Sequence, residues 1–188
     1  IIFTKPPFSV VAAGDKEDLH TDITDSVEYE GELALIIGKT TRNVSEENAM
    51  DHVFGYTICN DVSARDLQKR HTQWVIGKGL DTFSPMGPCI THKSAMPDHA
   101  NISVTTRVNG EVRQQGNTKD LIFSIPYLIS LLSKGMTLEP GDILATGTPK
   151  GVGAGFNPPR FLRKGDTVEI TIEGIGILVA VFLSTGLS

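Results

Sequence analysis

Leu33-Ala34-Leu35-Ile36-Ile37 is a short apolar run, opened by Glu30-Gly31-Glu32 and closed by Gly38. A run of that length with a glycine stop predicts a buried strand. Tyr56-Thr57-Ile58-Cys59-Asn60 predicts a second strand that ends at Asp61. Ile102 to Val108, Asn109-Gly110, then Glu111 to Gln114 predict a hairpin, because Asn-Gly readily takes the φ > 0 pair of a type I′ turn. Val168, Ile170 and Ile172 alternate on one arm of a second hairpin, and Ile177, Val179 and Val181 on the other, with Gly174 and Gly176 between them. Pro140-Gly141-Asp142 turns the chain into a strand at Ile143-Leu144-Ala145.

Helical signals are fewer. Ser124 caps an apolar helix whose first turn tolerates Pro126 and which Gly135 closes with a left-handed stop. Ser45, followed by Glu46 and Glu47, starts a helix expected to run through Met50 and His52 toward Gly55. Ser63 to Arg70 reads as a short helical turn. The remainder reads as connections: an extended entry from Ile1 to Phe8, a solvated loop over 12–26, a glycine-rich loop from Gly77 to Phe83, turn chemistry at Ser84-Pro85-Met86-Gly87-Pro88, and a glycine loop from Gly147 to Gly155. With no internal repeat or linker, the pattern predicts one β-rich α+β domain over 1–188, with two or three helices.

Composition narrows the function classes. A net charge of -5 argues against a nucleic-acid binder that works through bulk charge. No apolar run approaches the roughly 20 residues of a membrane span. Cys59 and Cys89 form no metal-ligand or redox spacing, so a reducing, cytoplasmic compartment is expected. The chain opens at Ile1 without a signal-peptide pattern and reads as a piece of a longer protein.

Three acids carry the chemistry. Glu30 and Glu32 lie two apart on a strand, so both side chains point to one face. Like charges side by side on a half-buried strand are unfavourable unless a cation joins them. Asp61 closes the next strand and converges on the same point. Three carboxylates without His or Cys form a hard oxygen site, suited to Mg²⁺ with Mn²⁺ or Ca²⁺ as alternatives. The competing reading of such a pair is the solvated face of an edge strand.

Longer motifs decide between them. Glu30 to Lys39, Gly55-Tyr56-Thr57-Ile58-Cys59-Asn60-Asp61-Val62-Ser63-Ala64-Arg65-Asp66-Leu67-Gln68, Gly77 to Phe83 with Gly87-Pro88, Phe123 to Tyr127, and Gly141 to Gly153 together resemble the fumarylacetoacetate hydrolase family, in its order. The nearest branch contains acylpyruvate hydrolases, oxaloacetate decarboxylases and 2-hydroxyhepta-2,4-diene-1,7-dioate isomerases. That resemblance implies a mixed β-roll or flattened barrel, a homodimer, and a metal held by Glu30, Glu32 and Asp61. It also implies a Lys78 that faces a 2-oxo acid substrate as a catalytic and binding cation, with Gln68 and Thr148 hydrogen-bonded to the same acid. Arg65 is expected to be a structural partner of a nearby acid, either Asp66 or a metal ligand. The activity implied is C–C bond hydrolysis or decarboxylation through an enolate. The alternatives are isomerisation or tautomerisation through the same enolate, and a catalytically inactive binding member. Hydrolytic members carry a water-activating His–Glu pair on an upstream lid, which has no counterpart in this sequence and is expected in a preceding segment of the parent protein.

Overall fold

The computed structural model describes residues 1–96 and 98–184. Its frame is two five-stranded mixed sheets. In chain order the strands are β1 (Val10–Ala12), β2 (Lys16–Asp18), β3 (Val27–Glu28), β4 (Gly31–Ile37), β5 (Val53–Asn60), β6 (Ser63–Ala64), β7 (Ser84–His92), β8 (Ser103–Val108), β9 (Glu111–Asn117), β10 (Ile143–Ala145), β11 (Thr167–Ile172) and β12 (Gly176–Leu183). The first sheet is ordered β1-β7-β5-β4-β10, the second β2-β12-β11-β8-β9, and β3 pairs with β6 in a small ribbon. The helices are α1 (Glu46–Ala49), α2 (Arg65–Arg70), α3 (Val75–Lys78) and α4 (Ile125–Gly135). Neither sheet closes into a barrel. No helix among the described residues is long and apolar enough to cross a membrane.

Every residue of β4 is buried. A strand covered on both faces reads as a continuous apolar run, which is why Leu33–Ile37 shows no alternation. One face, through Gly31, packs against Thr106 of β8 and Ile170 of β11, so it looks at the second sheet. The core between the sheets gathers Leu33, Leu35 and Ile37 with Val104, Val108, Val168, Ile170, Ile172, Leu178 and Phe182. The opposite face of the same strand is left for Glu32 and its neighbours.

Several sequence expectations are corrected. Residues 12–26 are not one solvated loop. β1 joins β7 in the first sheet, β2 joins β12 in the second, and both pairings are parallel. The chain therefore crosses between sheets at 13–15, and Glu17, Leu19 and Thr24 are buried. Ser84–Pro88 opens the nine-residue β7 rather than a turn. Pro88 is accommodated where the ladder to β5 is irregular, between Tyr56, opposite Thr91, and Ile58, opposite Gly87. The helix from Ser45 stops at Ala49 and passes through a 3₁₀ turn at Met50–His52 into β5, which already begins at Val53. Ser63 and Ala64 pair with β3, so the helical turn starts only at Arg65.

The two hairpins are present. Asn109 and Gly110 take φ of 51° and 81°, as a type I′ turn requires. Ser124 Oγ accepts from Tyr127 N at 3.3 Å and caps α4. Gly135 ends α4 without entering the left-handed region. On β12 the buried face is Leu178, Ala180 and Phe182, while Ile177, Val179 and Val181 are exposed. Both faces of that strand are apolar, so alternation could not choose between them. The register sets Ile177, Val179 and Val181 beside Thr171, Glu169 and Thr167, on the outer face of β11.

Glu17 is a buried acid in this frame. It lies beside Phe182 in the parallel ladder and is 1% exposed, and both carboxylate oxygens are without a hydrogen-bond partner among the described residues. Burial, helped by the charge of Asp15, pushes its pKa up to about 9. The folded chain therefore holds a proton there that the unfolded chain gives up near pH 4.5, and stability falls as pH rises from that value toward about 9. Each pH unit in this window costs about 1.4 kcal/mol. Replacing Glu17 with Met, which keeps length and removes the carboxyl, should raise Tm, with a larger gain at pH 8 than at pH 5. Thermal unfolding at both pH values checks this; an equal gain at both would show that the carboxyl is not titrating between folded and unfolded states.

Candidate active site

The antiparallel pairing of β4 with β5 sets Gly31 opposite Asn60 and Glu32 opposite Cys59. Glu30, just before β4, and Asp61, just after β5, are tied together by Asp61 N donating to Glu30 O at 2.8 Å. Asn60 Oδ1 accepts from Glu30 N at 3.0 Å and fixes the same corner. The result is the cluster expected from period-two geometry. Glu30, Glu32 and Asp61 each present an oxygen within 4.8 Å of the others, and all three are buried.

Cations converge on them from three segments. Lys78 Nζ donates to Asp61 Oδ2 at 2.6 Å and to Glu30 Oε2 at 2.9 Å, with the residue 1% exposed. Lys78 does not sit in a loop: it ends the one-turn helix α3, whose N–H groups at Gly77 and Lys78 bond to Trp74 O. A Cβ on Gly77 would lie 2.6 Å from the Gln68 backbone nitrogen, so only glycine lets α3 pack this closely on α2. That contact brings Gln68 and Lys78 to one site. Arg65, at the start of α2, bonds Glu30 through Nη2 and Glu28 through Nε, and its Nη1 donates to Gln68 Oε1 at 2.7 Å. Arg65 is thus the partner of a cluster acid, while Asp66 instead accepts from Thr24 Oγ1 at 2.6 Å. Lys5 donates to Asp61 Oδ1 at 2.6 Å and to Val62 O at 3.1 Å. Phe3 places its ring 5.0 Å from Lys78 Nζ and 5.5 Å from the ring of Trp74.

Burial raises the pKa of Glu30; Lys78 and Arg65 pull it back and Asp61 pushes it further. For Glu32 burial comes first, and the charges of Asp61 and Glu30 add to it, so its pKa is pushed up to about 8 despite the Gly147 N–H on its Oε2 at 2.7 Å. Burial works against the Lys78 ammonium, yet Asp61 and Glu30 outweigh it and hold its pKa above the ordinary lysine range. Cys59 is buried, and burial together with Asp61 and Glu32 raises its pKa, which keeps it a neutral thiol.

Gln68 and Thr148 are placed differently. Gln68 is 6% exposed; Arg65 fixes its carbonyl, and its Nε2 has no partner among the described residues. Thr148 Oγ1 donates to Gly31 O at 3.0 Å and accepts from Gln114 Nε2 at 2.7 Å, so its hydroxyl is engaged with the peptide between Glu30 and Glu32. His71 lies exposed just after α2.

Sequence reasoning missed three participants. Glu28 was within reach, since Glu28, Glu30 and Glu32 continue one alternation. Lys5 and Gln114 gave no local signal, because their partners lie 56 and 83 residues away.

The donor set fits a divalent cation. Three carboxylates face one point, two of them with raised pKa values that a positive charge would relieve. Oxygen-only ligands suit a hard ion.

Residues 1–182 match the family described as fumarylacetoacetate (FAA) hydrolase C-terminal. The chain is 59% identical over 178 residues to oxaloacetate tautomerase YisK of Bacillus subtilis, covering 95% of this chain and 59% of that protein. A solved fumarylacetoacetate hydrolase from psychrophilic Exiguobacterium antarcticum superposes with a TM-score of 0.96 at 50% identity, over 98% of this chain and 66% of that one. A 2-hydroxyhepta-2,4-diene-1,7-dioate isomerase from Mycobacterium marinum does so with a TM-score of 0.89 at 42% identity, over 100% and 70%. The chain spans about three fifths of the length of the curated relatives it matches.

A ligand carboxylate must be ionised, so an ion entering this cluster displaces the proton held at Glu32. The apparent affinity for Mn²⁺ or Mg²⁺ should rise about tenfold per pH unit below about pH 8 and level off above it. Calorimetry in buffers of different ionisation enthalpy should count about one proton released per ion. An affinity that does not change between pH 6 and pH 8 would mean Glu32 is already ionised.

Proposed function

The chain belongs to the fumarylacetoacetate hydrolase C-terminal family, and we propose that it forms the divalent-metal site of an enzyme that tautomerises small 2-oxo acids of the oxaloacetate type through an enolate. The observation that carries this reading is the buried convergence of Glu30, Glu32 and Asp61 with the Lys78 ammonium on two of them.

Glu30, Glu32 and Asp61 would hold the ion, with Mg²⁺ favoured by availability and Mn²⁺ or Ca²⁺ as alternatives. When bound there, a divalent ion would supply polarisation of the keto oxygen of a 2-oxo acid and positive charge against the negative charge that develops on it. Lys78 adds a fixed, desolvated positive charge toward charge that develops only in the transition state. Gln68 contributes a buried donor: with Oε1 engaged by Arg65, its amide is oriented so that Nε2 is free for a substrate oxygen. Thr148, anchored on Gly31, lines the same corner, and its hydroxyl would donate to the acid by exchanging the Gly31 carbonyl for a substrate oxygen. Tautomerisation moves one proton from C3 to the C2 oxygen, with no atom gained or lost, and asks for nothing beyond enolate stabilisation and proton transfer.

C–C bond cleavage, by hydrolysis of an acylpyruvate or decarboxylation of oxaloacetate, is the second reading. It uses the same enolate, and the likeness to a solved fumarylacetoacetate hydrolase supports it. Hydrolysis needs a base for water, as tautomerisation needs one for the C3 proton. Among the described residues Glu28, Glu30 and Asp61 are ion-paired with Arg65, Lys78 and Lys5, while Glu32 accepts from Gly147 N. We also propose a cytoplasmic homodimer; the exposed apolar stripe of Ile177, Val179 and Val181 is a surface a second copy would cover.

Oxalate has the charge and bite of a pyruvate enolate and probes the site directly. Calorimetric titration should show oxalate binding at least about 100-fold tighter with Mg²⁺ than without it. Glu32→Gln should abolish that difference. Oxaloacetate then separates the two readings: an ultraviolet change at constant mass marks tautomerisation, and release of CO₂ or a shorter acid marks cleavage. Equal oxalate binding with and without metal would remove the basis of both.

A further inference from the structure

The strand that carries the two glutamates runs out of neighbours where it matters most. β10 pairs with β4 only at Ala34, Leu35 and Ile36. Beyond that point the outer edge of β4 is bonded by side chains and a loop. Leu33 O accepts from Thr146 N at 3.1 Å and from Thr146 Oγ1 at 2.8 Å. Gly31, between Glu30 and Glu32, donates its N–H to Gln114 Oε1 at 3.0 Å and accepts at its carbonyl from Thr148 Oγ1 at 3.0 Å.

Gln114 uses its whole carboxamide there. Besides accepting from Gly31, its Nε2 donates to Thr148 Oγ1 at 2.7 Å and to Pro149 O at 2.8 Å. It is 1% exposed, on β9 of the second sheet, directly across from Thr106. Thr106 lies under Gly31: a Cβ on Gly31 would come within 2.3 Å of Thr106 Oγ1. The missing side chain is what lets the second sheet reach the backbone between the glutamates. One amide thus fastens three pieces together: the Glu30–Glu32 segment, the Thr148 hydroxyl and the loop that leads on to Gly151.

We propose that Gln114 is a positioning residue that sets the spacing of Glu30 and Glu32 for a divalent cation and holds Thr148 against them. It touches neither ion nor substrate; it acts through Gly31 and Thr148. This rests on the metal site proposed above. Partners that orient ligands typically change metal affinity by 10–100-fold, roughly, when lost.

Calorimetry with Mn²⁺ alone on the purified protein tests it, with oxalate added in a second titration and near-ultraviolet circular dichroism and Tm as controls on folding. Gln114→Met keeps the volume and removes all three hydrogen bonds; it should weaken Mn²⁺ binding about tenfold or more. Gln114→Glu keeps an acceptor for the Gly31 N–H and should stay within about threefold of the parent for Mn²⁺, while weakening oxalate. Thr148→Val should weaken oxalate and leave Mn²⁺ within about threefold, because Gln114 still holds Gly31. A Gln114→Met protein that loses Tm but binds Mn²⁺ as tightly as the parent would have only a structural amide, and the proposal fails while the metal site stands. Equal loss of Mn²⁺ affinity in Gln114→Met and Gln114→Glu also overturns it. A parent protein that binds no divalent ion overturns the metal reading and this proposal together.

Discussion

Mutual repulsion among Glu30, Glu32 and Asp61 is the constraint around which this end of the molecule is organised. Two unit charges 4.8 Å apart repel by roughly 3–4 kcal/mol at an effective dielectric constant of about 20. Three such pairs inside one chain are tolerable only if compensating charge is built into the same volume. Lys78, Arg65 and Lys5 supply it, each from a different segment of the chain. α3 rests on α2 through Gly77, and the entry segment is drawn over α3 by the approach of Pro6 to Gly79 and of Phe3 to Trp74. Glu28 extends the network by sharing Arg65 with Glu30.

This arrangement separates structure from chemistry on a single strand. The face of β4 that carries Leu33, Leu35 and Ile37 is sealed into the core between the sheets, where apolar burial holds the strand in register. The opposite face carries the charges. A slip of one residue would carry the carboxylates into the core and the leucines into the charged corner, so the core fixes where the acids point. Hydrogen bonds from Asn60, Gly147 and Gln114 then hold that corner from three sides. The rigid frame and the reactive corner meet on one strand: the core holds one face of β4, and Glu32 on the other face joins Glu30 just before it.

What the sequence made legible follows from the range over which each feature is determined. Glu30 and Glu32 were readable because period-two geometry is local, and Asp61 because it ends the strand that must pair with theirs. Hairpins set by Asn109-Gly110 and a helix capped by Ser124 are local in the same sense. Lys5 and Gln114 were not readable, since their roles exist only after chain segments distant in sequence meet. Local chemistry also misled where tertiary pairing overrode it. Pro85 and Pro88 carry turn signals, yet β1 and β5 on either side hold that stretch extended. Ile177, Val179 and Val181 alternate well, but Leu178, Ala180 and Phe182 alternate equally well, and only the register with β11 decides which set is buried.

Charge balance connects the geometry to the proposed chemistry. With every group ionised, the four carboxylates Glu28, Glu30, Glu32 and Asp61 exceed the three cations Lys5, Arg65 and Lys78 by one negative charge. A proton at Glu32 cancels that excess, which agrees with its raised pKa. A divalent ion in place of the proton would turn the balance to one positive charge, matched by the C1 carboxylate of a 2-oxo acid, with the second carboxylate of an oxaloacetate-type acid lying outside this balance. An enolate would bring one further negative charge, and on the proposed reading it would form near Lys78, where burial leaves little water to screen it. The residues that make the resting cluster tolerable are therefore those that would favour the reactive species. On the proposed reading the enolate is common to proton transfer and to C–C cleavage, so this corner would favour the enolate in either case, and groups that reach C3 and C4 of the substrate would decide which bond breaks.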